Sequence, residues 1–241
     1  ATRPEPSLTP PAEPSPEGVE QTPAERKVLG EYQGNDDLLL IYAGEAQRWL
    51  RLPSQTELTV GDRLLALPMF RAHIGLSSVD AYLIDGAQVV LAPPETDDIE
   101  ADAALALLYG RLLLSADLDG SRVALKIGDQ VHDLQLGESA DLAVEVERRF
   151  VPGALAAGVG PLEVTWHLTS GQLGEGDEAV EAPATWQTVD ESSSAPETFD
   201  ELPDWIDQPR LSTYEREARR AVAEALEPGR AFSIPLLELS D

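Results

Sequence analysis

From Leu38 onward the chain breaks into short apolar runs separated by turns rich in glycine and aspartate: LLLIY at 38–42, RWLRL at 48–52, RAHIGL at 71–76, AYLI at 81–84 and AQVVL at 87–91. Runs this short, bounded by turn residues, predict β-strands rather than amphipathic helices. Alternation is clearest in Arg48–Leu52, where Arg48, Leu50 and Leu52 share one face and Trp49 and Arg51 the other. Trp49 is thus either a partly exposed aromatic or the lid of a second packing layer. Further strands are predicted at 111–114, 122–127, 131–136, 142–146, 162–168 and 179–182, with turns at Asp119-Gly120, Gly128-Asp129, Gly137-Glu138 and Gly174–Gly176. The fold class is all-β, as a β-solenoid or a sandwich of short strands, with one C-terminal amphipathic helix.

Two architectures fit this pattern. Gly61, Gly86 and Gly110 stand 25 and then 24 residues apart, each opening onto an apolar run. A step in the twenties is what stacked coils of a β-solenoid produce. Evenly spaced hairpin turns of a sandwich or jelly roll produce it equally.

Residues 1–28 carry seven prolines among Glu, Ser and Thr and predict a disordered, semi-extended spacer, with a Pro-rich docking motif as the alternative. Residues 29–182 form the predicted β-domain. Residues 183–210 return to linker composition, with Phe199, Leu202, Trp205 and Ile206 as an apolar cluster expected to pack back on that domain. In 211–241, a capping box from Ser212 to Glu215 opens a helix that Pro228-Gly229 ends. Tyr214, Ala218, Ala221, Val222, Ala225 and Leu226 are expected to line its apolar face. The other face carries Arg216, Arg219 and Arg220. As the main positive patch in an acidic chain it is expected to dock on the protein's own acidic surface, or on an external partner. The chain opens at Ala1 without methionine or a basic and apolar leader. It is expected to be an excised or trimmed segment whose upstream anchor is out of view, with more protein following Asp241.

Composition narrows the chemistry. The chain has 17 Lys+Arg against 44 Asp+Glu, a formal net charge of -27, which repels phosphate backbones and anionic lipid surfaces; no nucleic-acid partner is expected. It has no cysteine, which removes disulfides and thiolate chemistry. The longest apolar run, 103–114, is interrupted by Tyr109, Gly110 and Arg111 and falls short of the roughly 20 residues of a spanning helix. His73, His132 and His167 sit singly in predicted strands, and no nucleophile elbow marks a partner serine. The acidic clusters at 35–37, 96–100 and 174–178, and Asp117–Ser121, lack the pattern of a calcium loop. No catalytic residue, cofactor site or metal site is assigned. Trp49, Arg51, Arg216, Arg219 and Arg220 are the candidate interaction residues.

The stretch from Leu38 to about Leu91 resembles the FecR family of extracytoplasmic domains. The matching residues are Trp49-Leu50-Arg51-Leu52, the turn Val60-Gly61-Asp62-Arg63-Leu64, the strand Arg71–Leu76 and Leu83–Leu91; Leu108–Leu112 and Thr169–Leu173 look like the continuation in larger members. The resemblance covers about half the chain. It implies a β-rich fold outside the cytoplasm, in the periplasm or cell envelope, tethered by a preceding transmembrane helix and sensing or transmitting through an envelope or membrane protein. The helical sigma-binding region of signalling members is missing from this sequence, so anti-sigma activity is not carried over. A non-enzymatic contact module is therefore expected. The alternative is a secreted β-domain that binds or hydrolyses envelope polysaccharide, with Trp49, Trp166 and Trp186 as its stacking aromatics.

Overall fold

The computed structural model describes residues 27–34, 37–117, 120–148, 161–175, 178–189, 192–207 and 211–226. Its strands are β1 (Val28–Tyr32), β2 (Leu39–Ala43), β3 (Arg48–Arg51), β4 (Thr56–Thr59), β5 (Arg63–Ala66), β6 (Arg71–Leu76), β7 (Val79–Leu91), β8 (Ala103–Ala116), β9 (Ser121–Ile127), β10 (Gln130–Leu136), β11 (Ala140–Arg148), β12 (Leu162–Ser170), β13 (Gln172–Glu175), β14 (Glu178–Glu181), β15 (Ala184–Val189) and β16 (Ser192–Ser193), followed by the helix α1 (Thr213–Ala225). The all-β class with a single C-terminal helix holds.

The organising feature is the long antiparallel pair β7–β8, from Val79 opposite Ala116 to Leu91 opposite Leu105. The predicted strands at 81–84 and 87–91 are one strand, broken in register between Ile84 and Gln88, where Asp85 and Gly86 both take positive φ. On either side of this break the sheet forks. The first half of β7 pairs with β6, and through it with β1 and β4; the second half pairs with β5, β2 and β3. Likewise the later part of β8 pairs with β11, leading to β12, β15 and β16, while its beginning runs parallel to β9, leading to β10, β13 and β14. The sheet therefore has two arms that share bent strands.

Alternation turns one face of each arm inward. In β6, Ala72, Ile74 and Leu76 are buried while Arg71, His73 and Gly75 are not. Both arms feed one core, with Leu58, Ile74, Leu83, Leu114, Val144 and Trp166 from the first and Leu39, Leu64, Val89, Leu105, Leu125 and Leu134 from the second. Two layers around one core, antiparallel except for the β8–β9 pair, are a sandwich rather than the stacked coils of a solenoid. The glycine step that suggested a solenoid has another origin: Gly110 sits at the β8 bend, against the backbone of Ala87. Gly171 does the same between β12 and β13, against Ala140.

Two boundaries differ from the sequence expectation. Val28, placed in the spacer, already pairs with Thr59 in β1; residues 1–26 lie outside the described residues. The stretch from 183, read as linker, contributes β15, because Trp186 and Ala184 alternate into the core along an edge that β12 leaves open. Linker composition reflected the Pro and Ser residues that flank this strand.

Candidate interaction surface

Tyr42 and Trp49 face each other across β2 and β3 on the outer side of the second arm, with ring centroids 5.3 Å apart. The Arg63 guanidinium lies over both rings, at 5.6 Å from Tyr42 and 5.8 Å from Trp49. Behind it Gln88 is buried; with its amide oriented to match its neighbours, its oxygen accepts from Arg63 and its nitrogen donates to the Tyr109 hydroxyl at 3.1 Å. Tyr109 nevertheless keeps 45% of its surface exposed, and Leu108 beside it 38%. Both project at the bend because β8 holds an extra residue there: Leu107 opposes Val89 and Tyr109 opposes Gln88, which leaves Leu108 unpaired in a bulge. Arg111 closes the margin through ion pairs to Asp85 at 3.2 Å and Glu145 at 2.6 Å. The surface is an exposed leucine beside an exposed aromatic whose hydroxyl is bonded from beneath.

The candidate arginines divide. Arg51 donates through Nη1 to the carbonyls of Ala223, at 2.9 Å, and Leu226, both at the C-terminal end of α1. No basic residue stands in the last turn of α1, so Arg51 supplies from β3 the positive charge that free terminal carbonyls favour. Arg219 pairs with Asp37 and lies over Phe70 at 5.0 Å. Both arginines hold the helix to the body; of the three helix arginines expected on the protein's own acidic surface, Arg219 is placed there by Asp37. Arg216 and Arg220 stay at the surface, bonded within α1 to Thr213 and Glu224 respectively.

The capping box forms as expected, with the Ser212 amide donating to Glu215 at 2.7 Å and the Glu215 amide to Ser212 Oγ at 3.2 Å. Its apolar face is rotated from the expectation. Val222, Ala223 and Leu226 meet Trp49, Leu65, Leu38, Leu40, Leu67 and Phe70, whereas Tyr214 is 80% exposed and Ala221 exposed. The docking pair Arg51–Arg219 fixes which stripe faces inward. Trp49 is thereby the lid of a second packing layer. The expected stop at Pro228-Gly229 lies outside the described residues.

The other two candidate stacking tryptophans, Trp166 and Trp186, are core residues. Trp166 is 1% exposed and stacks on Trp186, centroids 5.8 Å apart and planes 2° from parallel; His132 meets the Trp166 ring edge-on at 4.9 Å. Neither can serve as a sugar-stacking platform at the surface. His73 is less isolated than its sequence suggests: the β6–β7 turn brings its Nε2 to 2.9 Å from Asp80, and its ring stacks on Tyr82. Ser115 and Ser170 both donate to Asp141, while the buried Ser78 Oγ in the β6–β7 turn makes no hydrogen bond among the described residues. No cluster of three or more His, Asp or Glu side chains suited to a metal occurs among the described residues, and no helix there is long and apolar enough to cross a membrane.

His167 is a titratable group whose charged form burial disfavours. It lies under Phe199 and Trp205 and meets Thr185 Oγ1 through Nδ1 at 3.1 Å. Burial lowers its pKa from the ordinary 6.5, against an opposing pull from Glu145. The native state thus resists a proton that the unfolded chain accepts near pH 6.5, so stability is complete above that value and declines as the pH falls below it. Urea unfolding at pH 7.5 and at pH 5.5 should show a larger loss for the native sequence than for His167→Asn. Equal losses would assign the pH dependence to other groups.

Sequence reasoning missed Arg63, Gln88, Leu108 and Tyr109. The available signal was the interruption of the 103–114 run at Tyr109-Gly110-Arg111, where polar and turn-forming residues break an otherwise continuous buried strand. Comparison with protein-family models, curated proteins and solved structures gives no match to this chain.

Proposed function

We propose that the protein is a non-enzymatic, FecR-like contact module that works outside the cytoplasm, tethered through an anchor beyond this chain, and transmits or senses by binding an envelope or membrane protein. The β-rich fold agrees with what the family resemblance implies. The observation that carries the contact reading is the exposed Leu108–Tyr109 pair, whose Tyr109 hydroxyl is held from below by Gln88, itself bonded to Arg63. An aromatic fixed in one orientation loses little side-chain entropy when a partner covers it, which is the property of interface anchors. The polysaccharide alternative retains Trp49 among its three tryptophans, and that residue is half covered by α1.

The test is capture from an envelope extract on the immobilised chain, beside Leu108→Asp and Tyr109→Ser, with a parallel sedimentation assay on peptidoglycan. One envelope protein retained by the native chain and reduced at least tenfold by both variants is the expected result. Equal capture by all three chains, or peptidoglycan retention that Trp49→Ala removes, overturns the proposal.

A further inference from the structure

A cavity of about 490 Å³ lies in the seam between α1, the segment around Trp205 and the outer face of the first arm. Phe70, Ile84, Trp205 and Leu211 supply its apolar walls, and Arg71 and Asp204 are among its charged ones. Most of the other charges there are spoken for. Asp37 holds Arg219; Asp85 holds Arg111 and accepts from the Met69 amide at 2.9 Å; Glu215 accepts from the Ser212 amide in the capping box. That box also occupies the N-terminus of α1, so the helix offers no anion site of its own.

Arg71 differs from its neighbours. Its guanidinium is half-buried, donates to the Ile206 carbonyl at 3.0 Å and lies 5.2 Å from the Tyr82 ring centroid, but no carboxylate among the described residues forms an ion pair with it. Desolvation lowers its pKa, while Tyr82, Asp37 and Asp207 oppose the shift. A guanidinium offers five N–H donors in a planar fork suited to a carboxylate, and most of this fork is unused. Asp204 has no hydrogen bond or ion pair among the described residues. A volume of this size suits a small molecule, and its mixture of apolar walls with a few polar groups is that of a ligand pocket.

We propose that this cavity binds a small amphipathic carboxylate, its carboxylate on Arg71 and its apolar body against Phe70, Ile84 and Trp205. When the ligand is an amino acid, Asp204 takes the ammonium. The site does not rest on the Leu108–Tyr109 surface, so either assignment can fail alone. Because Arg71 and Ile84 belong to the sheet whereas Trp205 and Leu211 belong to the C-terminal segment, the ligand ties that segment to the body.

Isothermal titration of the full chain with 3-phenylpropionate, L-phenylalanine and phenethylamine tests this. Both carboxylates should bind in the millimolar range or tighter while phenethylamine does not. Arg71→Gln should weaken binding at least tenfold. Leu211→Trp, which fills the cavity and leaves Arg71 in place, should do the same. A preference for phenylalanine that Asp204→Asn removes identifies the ligand as zwitterionic and supports the site. Absence of binding by both carboxylates to the native chain, or binding that survives both Arg71→Gln and Leu211→Trp, overturns it.

Discussion

Gly110→Ala will lower the stability of the fold by roughly 3 kcal/mol, about a 6–12 °C fall in Tm for a chain of this size. Two costs combine. Gly110 has φ of +92°, a conformation that residues with a Cβ rarely adopt, and an added Cβ would come 2.5 Å from Ala87 Cα and 2.9 Å from its nitrogen. The obstacle is backbone of the adjoining strand, which no rotamer change can relieve. Gly44, in the β2–β3 turn, has nothing within 4 Å of where a methyl group would sit and provides the control; Gly44→Ala should stay within about 0.5 kcal/mol of the native chain. Thermal unfolding of the two variants decides the matter: a Gly110→Ala midpoint as close to native as that of Gly44→Ala would mean the shared strands are not pinned at this bend. The bend also positions Leu108 and Tyr109, so partner capture should weaken in Gly110→Ala beyond what its loss of folded population explains.

Trp166→Ala will cost about 4 kcal/mol, the range for deleting a buried tryptophan. The ring is almost fully enclosed between Trp186 and the edge of His132, and its Nε1 donates to Thr188 Oγ1 at 3.2 Å. Removal leaves a cavity that the rigid strands β11, β12 and β15 cannot close, and withdraws the donor from a buried hydroxyl. Urea denaturation should show a midpoint far below that of Trp49→Ala, whose ring is only partly buried against the α1 contact. If Trp166→Ala unfolds at the native midpoint, the assignment of this residue to the core is wrong. Any loss of ligand or partner binding in Trp166→Ala has to be read against this instability.

The strand pattern was legible because burial in a sandwich is one-sided: the alternation of Arg71–Leu76 appears unchanged in β6, and the two-residue turn at Gly128-Asp129 joins β9 to β10 as expected. The capping box was legible for a similar reason, since Ser212 and Glu215 interact within a single turn. What failed to show was every feature created by contacts distant in the chain. Leu112–Leu114 and Leu142–Val144 are buried on both faces because Ile206, far along the chain, covers Leu113 and Ala143 from outside. Arg51 and Arg219 read as surface charge until Leu226 and Asp37 were placed beside them.

Local patterning was enough to establish that this chain makes short strands, where most of them lie, that one capped helix follows them, and that its charge disfavours polyanions. These are consequences of periodicity, turn chemistry and composition, which neighbouring residues settle among themselves. Long-range packing was needed to make β7 and β8 each serve two arms, to bury Trp166 and Trp186 while leaving Tyr109 at the surface, and to place Arg71 in the wall of a cavity without a paired carboxylate among the described residues. Each of these depends on which strand becomes whose neighbour, and that choice is made by burying apolar area across the whole chain at once.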